Sequence, residues 1–165
     1  MQTASVKASA SVPASLIKTK IHPPRLRHDE VPRARTLRAF AEVSDPRVIS
    51  VVAPPGYGKT TLLAQWARTK DRPVAWLTID AADNDVVGLF TYLAAAIDRV
   101  APLDQDLVSR FRSPGLPAYS LARMFLAALP GGTNALVVLD DIQWCDTDTL
   151  EWIAANERTV RSVLM

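Results

Sequence analysis

The sequence predicts an α/β domain built on a parallel sheet, and three observations carry that prediction. Short apolar runs rich in β-branched residues alternate with segments of helical period. A glycine-rich loop ends one of those runs and opens a helix, and a later run ends on two adjacent aspartates. At 165 residues, 48% of them apolar, the chain is long enough for one globular domain and too short for two ordinary ones. Its apolar stretches are interrupted by Asp, Arg or Pro well before the roughly 20 residues a membrane helix needs, so a soluble protein without a membrane partner is expected. Met1 to Ser15 has no continuous apolar segment of the secretory kind, and the single cysteine, Cys145, fits a reducing cytoplasm.

Residues 1–16 are small and polar without period and are expected to form a disordered tail. Residues 17–46 follow as an extended arm and a short helix. Pro23, Pro24 and Pro32 restrict their own backbone and that of their predecessors, and Ala34 to Glu42 has helical character. The net charge of +2 is uneven, because Lys and Arg outnumber Asp29 and Glu30 over residues 1 to 35. A basic arm can contact nucleic acid or the phosphates of a nucleotide, but a solvated leader is the preferred reading, and no interleaved aromatics supply a stacking platform.

The core is expected over residues 47–165. Val48 to Ala53 is β-branched and apolar and stops at Pro54, Pro55 and Gly56, as a buried parallel strand does. A helix is predicted over Lys59 to Arg68, with Leu62, Leu63 and Trp66 on one face, and a strand over Val74 to Ile79. Leu89, Leu93, Ala96, Ile97 and Val100 recur at helical spacing behind Asp83, Asn84 and Asp85, any of which can cap the helix. Tyr119 to Leu129 predicts a further helix, stopped by Pro130, Gly131 and Gly132, and Leu136 to Leu139 a third strand. In such a domain ligands sit beyond the carboxyl ends of the strands.

The loop Ala53-Pro54-Pro55-Gly56-Tyr57-Gly58-Lys59-Thr60 matches G-x-x-x-x-G-K-[ST] except at its first position, where alanine replaces glycine. Glycine at 56 and 58 allows successive backbone N–H groups to turn inward at the positive end of a helix, which makes an anion nest. Lys59 then reaches the β- and γ-phosphates, Thr60 offers a hydroxyl to Mg2+, and Thr61 is a further donor. A glycine-rich turn before an ordinary helix is the alternative, but the preceding strand, the following helix and the downstream acids all favour the phosphate loop.

Ala135 to Asp141, an apolar strand ending on Asp140 and Asp141, has the form of a Walker B motif. Asp140 is expected to bind Mg2+ through water and Asp141 to orient or deprotonate an attacking water, and two adjacent carboxylates need a cation or a proton between them. Gln143 could polarise that water or simply face solvent. Trp66, Trp76 and Trp144 read as core or cleft-lining aromatics. Asp80, Asp83 and Asp85 lack the glycine and terminal glutamate of an EF-hand loop, so capping is preferred to calcium, and neither His22, His28 nor Cys145 has partners in sequence for metal or nucleophile chemistry.

Five blocks in order resemble the ATPase domain of MalT-like, LuxR-family transcriptional activators, members of the STAND class of signalling NTPases. They are Ile17 to Arg25 (IKTKIHPPR), Val31 to Arg35 (VPRAR), Val52 to Trp66 (VAPPGYGKTTLLAQW), Val74 to Asp85 (VAWLTIDAADND) and Leu139 to Trp144 (LDDIQW). The likeness runs from about Leu16 to Trp152, and alanine at the position of Ala53 is familiar in that family.

The resemblance implies a P-loop NTPase three-layer sandwich of the ASCE/AAA kind and a slow, ATP- and Mg2+-dependent switch, with Val31 and Arg33 near the base. It also implies a longer parent in which self-association and a C-terminal DNA-binding domain complete the regulator. The strand after the acidic pair is expected to insert between it and the phosphate-loop strand, so that residues 1–165 form an incomplete, marginally stable core. Two other readings stay open at this point: a small-molecule kinase, which would need an arginine-bearing lid and an acceptor pocket, and a non-catalytic nucleotide-dependent interaction module.

Overall fold

The computed structural model describes residues 16–42, 49–83, 85–110, 118–128 and 135–145. Helix α1 (Ala34–Glu42) precedes the phosphate loop, and α2 (Lys59–Arg68) leaves it. Strand β1 (Val74–Thr78) is followed by α3 (Val86–Asp98), α4 (Gln105–Arg110), α5 (Ala118–Ala128) and strand β2 (Leu136–Asp140). Single 3-10 turns occupy Lys18–Ile21, Ala81–Asp83 and Ile142–Trp144.

The two strands are parallel neighbours, running in register from Val74 opposite Leu136 to Thr78 opposite Asp140. Because side chains alternate across a strand, each ladder sorts its residues into two faces. Ala75, Leu77 and Val137 turn to one face, where they pack with Leu89, Phe90, Leu93 and Ile97 of α3 and with Leu121 and Phe125 of α5. Trp76, Leu136 and Val138 turn to the other, against Ala64 and Trp66 of α2, with Leu37 and Phe40 of α1 at the margin. The outcome is helix, sheet and helix in three layers with a separate apolar cluster on each side. Phe40 meets Trp66 edge to face at 5.8 Å, and the buried Trp76 indole N–H donates to Thr78 Oγ1 at 2.8 Å, so neither large ring relies on area alone.

The helix and strand bounds follow the sequence reading closely. Asp85 is the residue that caps α3, its carboxylate accepting from the Gly88 N–H at 2.8 Å. Helix α4 was not anticipated: it is one and a half turns of largely polar sequence, too short for a periodic signal. The expected strand over 48–53 is a correction. Ile49 to Ala53 forms no ladder among the described residues, and Val52 is 89% exposed. A strand exists only with a hydrogen-bonded neighbour, and neither β1 nor β2 pairs with this segment, although Ile49 packs against the Trp66 and Trp76 cluster. The expectations for Met1 to Ser15 and for residues 146–165, including the incomplete end of the core, lie outside the described residues.

An ion cluster ties the amino-terminal arm to this framework. Lys20 Nζ donates to both Asp83 carboxylate oxygens at 2.8 and 2.7 Å and pairs with Asp80 at 2.8 Å, below the ring of Tyr92. Ile21, fully buried beside it, joins the α3 cluster, and Arg99, the C-cap of α3, donates to the Ile21 carbonyl at 2.7 Å. Burial works against a charged Lys20, but the hydrogen bonds and charges of Asp80 and Asp83 outweigh it and hold its pKa above the usual value. A raised lysine pKa stabilises the fold fully below the unfolded value of 10.5, and that contribution is lost as pH rises through the higher folded value. Lys20→Ala strips the cation from the buried Asp83, and urea denaturation at pH 7 is expected to register a loss of about 3–5 kcal/mol. Lys20→Ala together with Asp83→Ala should recover a large part of it.

Candidate functional site

The loop from Ala53 to Gly58 reverses the chain over α2 using two left-handed residues, Gly56 at φ 80° and Gly58 at φ 69°. Gly58 is the N-cap of α2 and offers no side chain to its first-turn amides, which a helix cannot satisfy internally. Those N–H groups, those of Lys59, Thr60 and Thr61 among them, stand at the positive end of the helix dipole. The backbone is what favours glycine at 58, and the end of the Arg33 side chain would also have to shift for a larger residue. That backbone is left-handed, and Arg33 Nη2 lies 2.6 Å from where a Cβ would stand. Lys59 folds back across the loop, its Nζ donating to the carbonyls of Ala53 at 2.9 Å and Pro54 at 3.4 Å. Its ammonium group is therefore held against the loop backbone.

Asp140 ends β2 almost fully buried, and it is bonded to the loop helix: Thr60 Oγ1 donates to its Oδ1 at 3.0 Å. Burial pushes the Asp140 pKa up. The neighbouring Asp141 adds to the rise, while the Thr60 hydrogen bond and the Lys59 charge oppose it. Asp141 follows in a left-handed conformation at φ 61°, uncommon outside glycine, and accepts from Gln143 Nε2 at 3.0 Å. Among the described residues no group of three or more His, Cys, Asp or Glu gathers as a metal cage. A hydroxyl and one buried carboxylate in contact are nevertheless the donor set that suits Mg2+, which takes few protein ligands and fills its octahedron with phosphate and water. Thr60 and Asp140 would hold the ion.

Val31 and Arg33 are brought to α2 by a bracket that sequence reading missed. Gln65 accepts from the Arg33 N–H at 3.1 Å and donates to the Val31 carbonyl at 3.1 Å, as a neighbouring strand would. Val31 itself is 79% exposed. Of the tryptophans, Trp66 and Trp76 are core, whereas Trp144 is half exposed beside the acidic pair. Asp80 both caps the Ala81–Asp83 turn, accepting from the Ala82 N–H at 2.9 Å, and pairs with Lys20, whereas Asp83 serves Lys20 and the Asp80 N–H; Cys145 is half-buried against the α3 cluster. A cavity of about 690 Å3 opens between Thr60, Thr78, Asp140 and Asp141 on one side and the arm from Lys18 to Arg25 on the other. No helix among the described residues is long and apolar enough to cross a membrane.

A glycine-built anion nest beyond the edge of a parallel sheet, bonded through a threonine to a strand-end carboxylate, defines a P-loop domain of the α/β class. The particular family is equally plain: the chain belongs to the AAA ATPase domain family, whose profile matches residues 30–160. It is similar to the HTH-type transcriptional regulator MalT of Serratia proteamaculans, 39% identical over 138 residues, covering 82% of this chain and 15% of that protein. MalT of Cronobacter sakazakii is 31% identical over 130 residues, covering 76% of this chain and 14% of that one. MalT of Klebsiella pneumoniae is 39% identical over 85 residues, or 51% of this chain and 9% of the relative. The chain thus corresponds to a small part of each relative, and it is a MalT-like ATPase region.

The raised Asp140 pKa has a sign that can be tested. Below the unfolded value of 3.8 the carboxyl is protonated in both states and costs nothing; as pH rises through the higher folded value the buried charge appears and stability falls. Asp140→Asn keeps an acceptor for Thr60 without that charge. It is expected to raise the melting temperature of the ligand-free protein at pH 7 and to leave it unchanged near pH 3, as followed by circular dichroism.

Proposed function

We propose that this chain is an ATP-binding, slowly ATP-hydrolysing switch domain of a MalT-like transcriptional regulator. The observation that carries the reading is the Thr60 to Asp140 hydrogen bond, which joins the phosphate-loop hydroxyl to the strand-end carboxylate. The loop amides and Lys59 bind the β- and γ-phosphates, with Lys59 exchanging the Ala53 and Pro54 carbonyls for phosphate oxygens. Thr60 and Asp140 hold Mg2+, which when bound offsets the phosphate charge and the repulsion between Asp140 and Asp141. Asp141 orients the attacking water and accepts its proton, with Gln143 steadying the carboxylate. Val31 lays its exposed apolar side chain beside the base, and Arg33, held by Gln65, lines the entry over Gly58.

In this reading the domain acts in a longer regulator. Its self-association and DNA contacts lie with the parent protein, and its place is the cytoplasm. The relatives are helix-turn-helix transcriptional regulators, a role that fits a nucleotide switch better than a kinase, since bound triphosphate can report a state without an acceptor.

Lys59→Ala removes the cation over the loop and is expected to weaken MgATP binding at least about tenfold in a calorimetric titration. Unchanged affinity in a folded variant would sink the assignment of this loop. Asp141→Asn tolerates the left-handed backbone as well as aspartate does but is a far weaker base. MgATP affinity should stay within twofold while single-turnover phosphate release slows about 10²-fold or more.

A further inference from the structure

The arm between the 3-10 turn and α1 crosses the carboxyl edge of the sheet and is fastened at both ends. On one side Lys20 and Ile21 are buried in the α3 layer. On the other, Leu26 packs against the Trp66 and Trp76 cluster of the α2 layer. Between them His22, Pro23, Pro24 and Arg25 are exposed, and they form the outer wall of the cavity whose inner wall is Thr60, Asp140 and Asp141. His22 Nδ1 bonds the Lys18 carbonyl at 2.6 Å and closes the turn, and the two prolines fix the backbone that leads to Arg25. The cation is therefore presented from a braced strap.

The electrostatics of the two walls are opposite. The inner wall carries two carboxylates, and the outer wall carries Lys18 and Arg25. A terminal phosphate entering beside Thr60 and Asp140 would place several anionic oxygens in this space, with Lys59 as a cation from the loop side alone. The planar guanidinium suits a pair of phosphate oxygens better than the Lys18 ammonium does, and the cavity falls within the ordinary size range of a small-molecule site.

We propose that Arg25 is a terminal-phosphate ligand supplied in cis, which makes the cleft favour a nucleoside triphosphate over the diphosphate. The proposal rests on the nucleotide-binding reading of the loop. It adds a specificity-determining residue from a segment outside both motifs.

The test measures ATP and ADP affinities, each with Mg2+, for the intact chain and for Arg25→Ala, Arg25→Lys and Lys59→Ala. Arg25 is exposed, so its variants are expected to keep the circular dichroism of the parent. Arg25→Ala should lose about tenfold in ATP affinity and less than twofold in ADP affinity, with Arg25→Lys between the two. Equal losses for both nucleotides, or none for ATP, overturn the proposal while leaving the loop assignment intact. If the parent binds neither nucleotide, or Lys59→Ala binds both as the parent does, the nucleotide reading fails and this inference falls with it.

Discussion

Two strands that run the same way end at the same edge, and the rest of this molecule is arranged around that constraint. The in-register ladder from Val74 and Leu136 to Thr78 and Asp140 brings the end of β1 and the acidic pair side by side without any contact made for the purpose. Parallel strands cannot be joined by a tight turn, so α3, α4 and α5 occupy the crossover, and α3 and α5 supply the apolar layer on one face. The opposite face is left to α2, whose amino terminus consequently lies at the same edge as the carboxylates. The Thr60 to Asp140 hydrogen bond is where these two consequences meet.

Among the described residues, two buried aspartates are treated in opposite ways. Asp83 has a lysine in bidentate contact, so its charge is offset inside the fold and fastens the arm to the α3 layer. Asp140 has a hydroxyl and a like-charged neighbour, and its carboxyl is held above the ordinary range by burial. A structural carboxylate is neutralised by the protein itself; one left short of positive charge at an open cavity stores a demand for a cation. That difference, rather than the presence of aspartates, separates the two clusters.

Periodicity and punctuation were enough to place α1, α2, β1, α3, α5 and β2, because each is long enough to show its period and is bounded by Pro, Gly or Asp. Besides the short α4, three kinds of feature were not legible. Ile49 to Ala53 has the composition of a strand but no ladder among the described residues, since composition records a willingness to pair and says nothing of the neighbour. Gln65 and Lys20 reach partners more than 30 residues away, and a polar residue on a helix or turn looks the same in sequence whether it faces solvent or a distant backbone. Asp83 was read among the candidate caps, the local use of aspartate, whereas tertiary packing gave it to Lys20 and left the cap to Asp85. Within the candidate site, the loop and the acids were each visible as local patterns. Their bond, the bracket that seats Val31 and Arg33, and the strap across the cavity depend on the three-dimensional path of the chain.

The strap also has a mechanical meaning. Its ends are tied to different layers of the sandwich, Ile21 to the α3 side and Leu26 to the α2 side, and the few residues between them span at most about 3.3–3.6 Å each. Two of those residues are prolines, which leave little slack to take up. If the α2 layer slides along the sheet relative to the α3 layer, the tether must tilt or tighten, and the width of the cavity changes with it. Layer displacement and cleft opening are then a single coordinate, and a force applied at either end of the arm is transmitted to the edge where Thr60 and Asp140 meet.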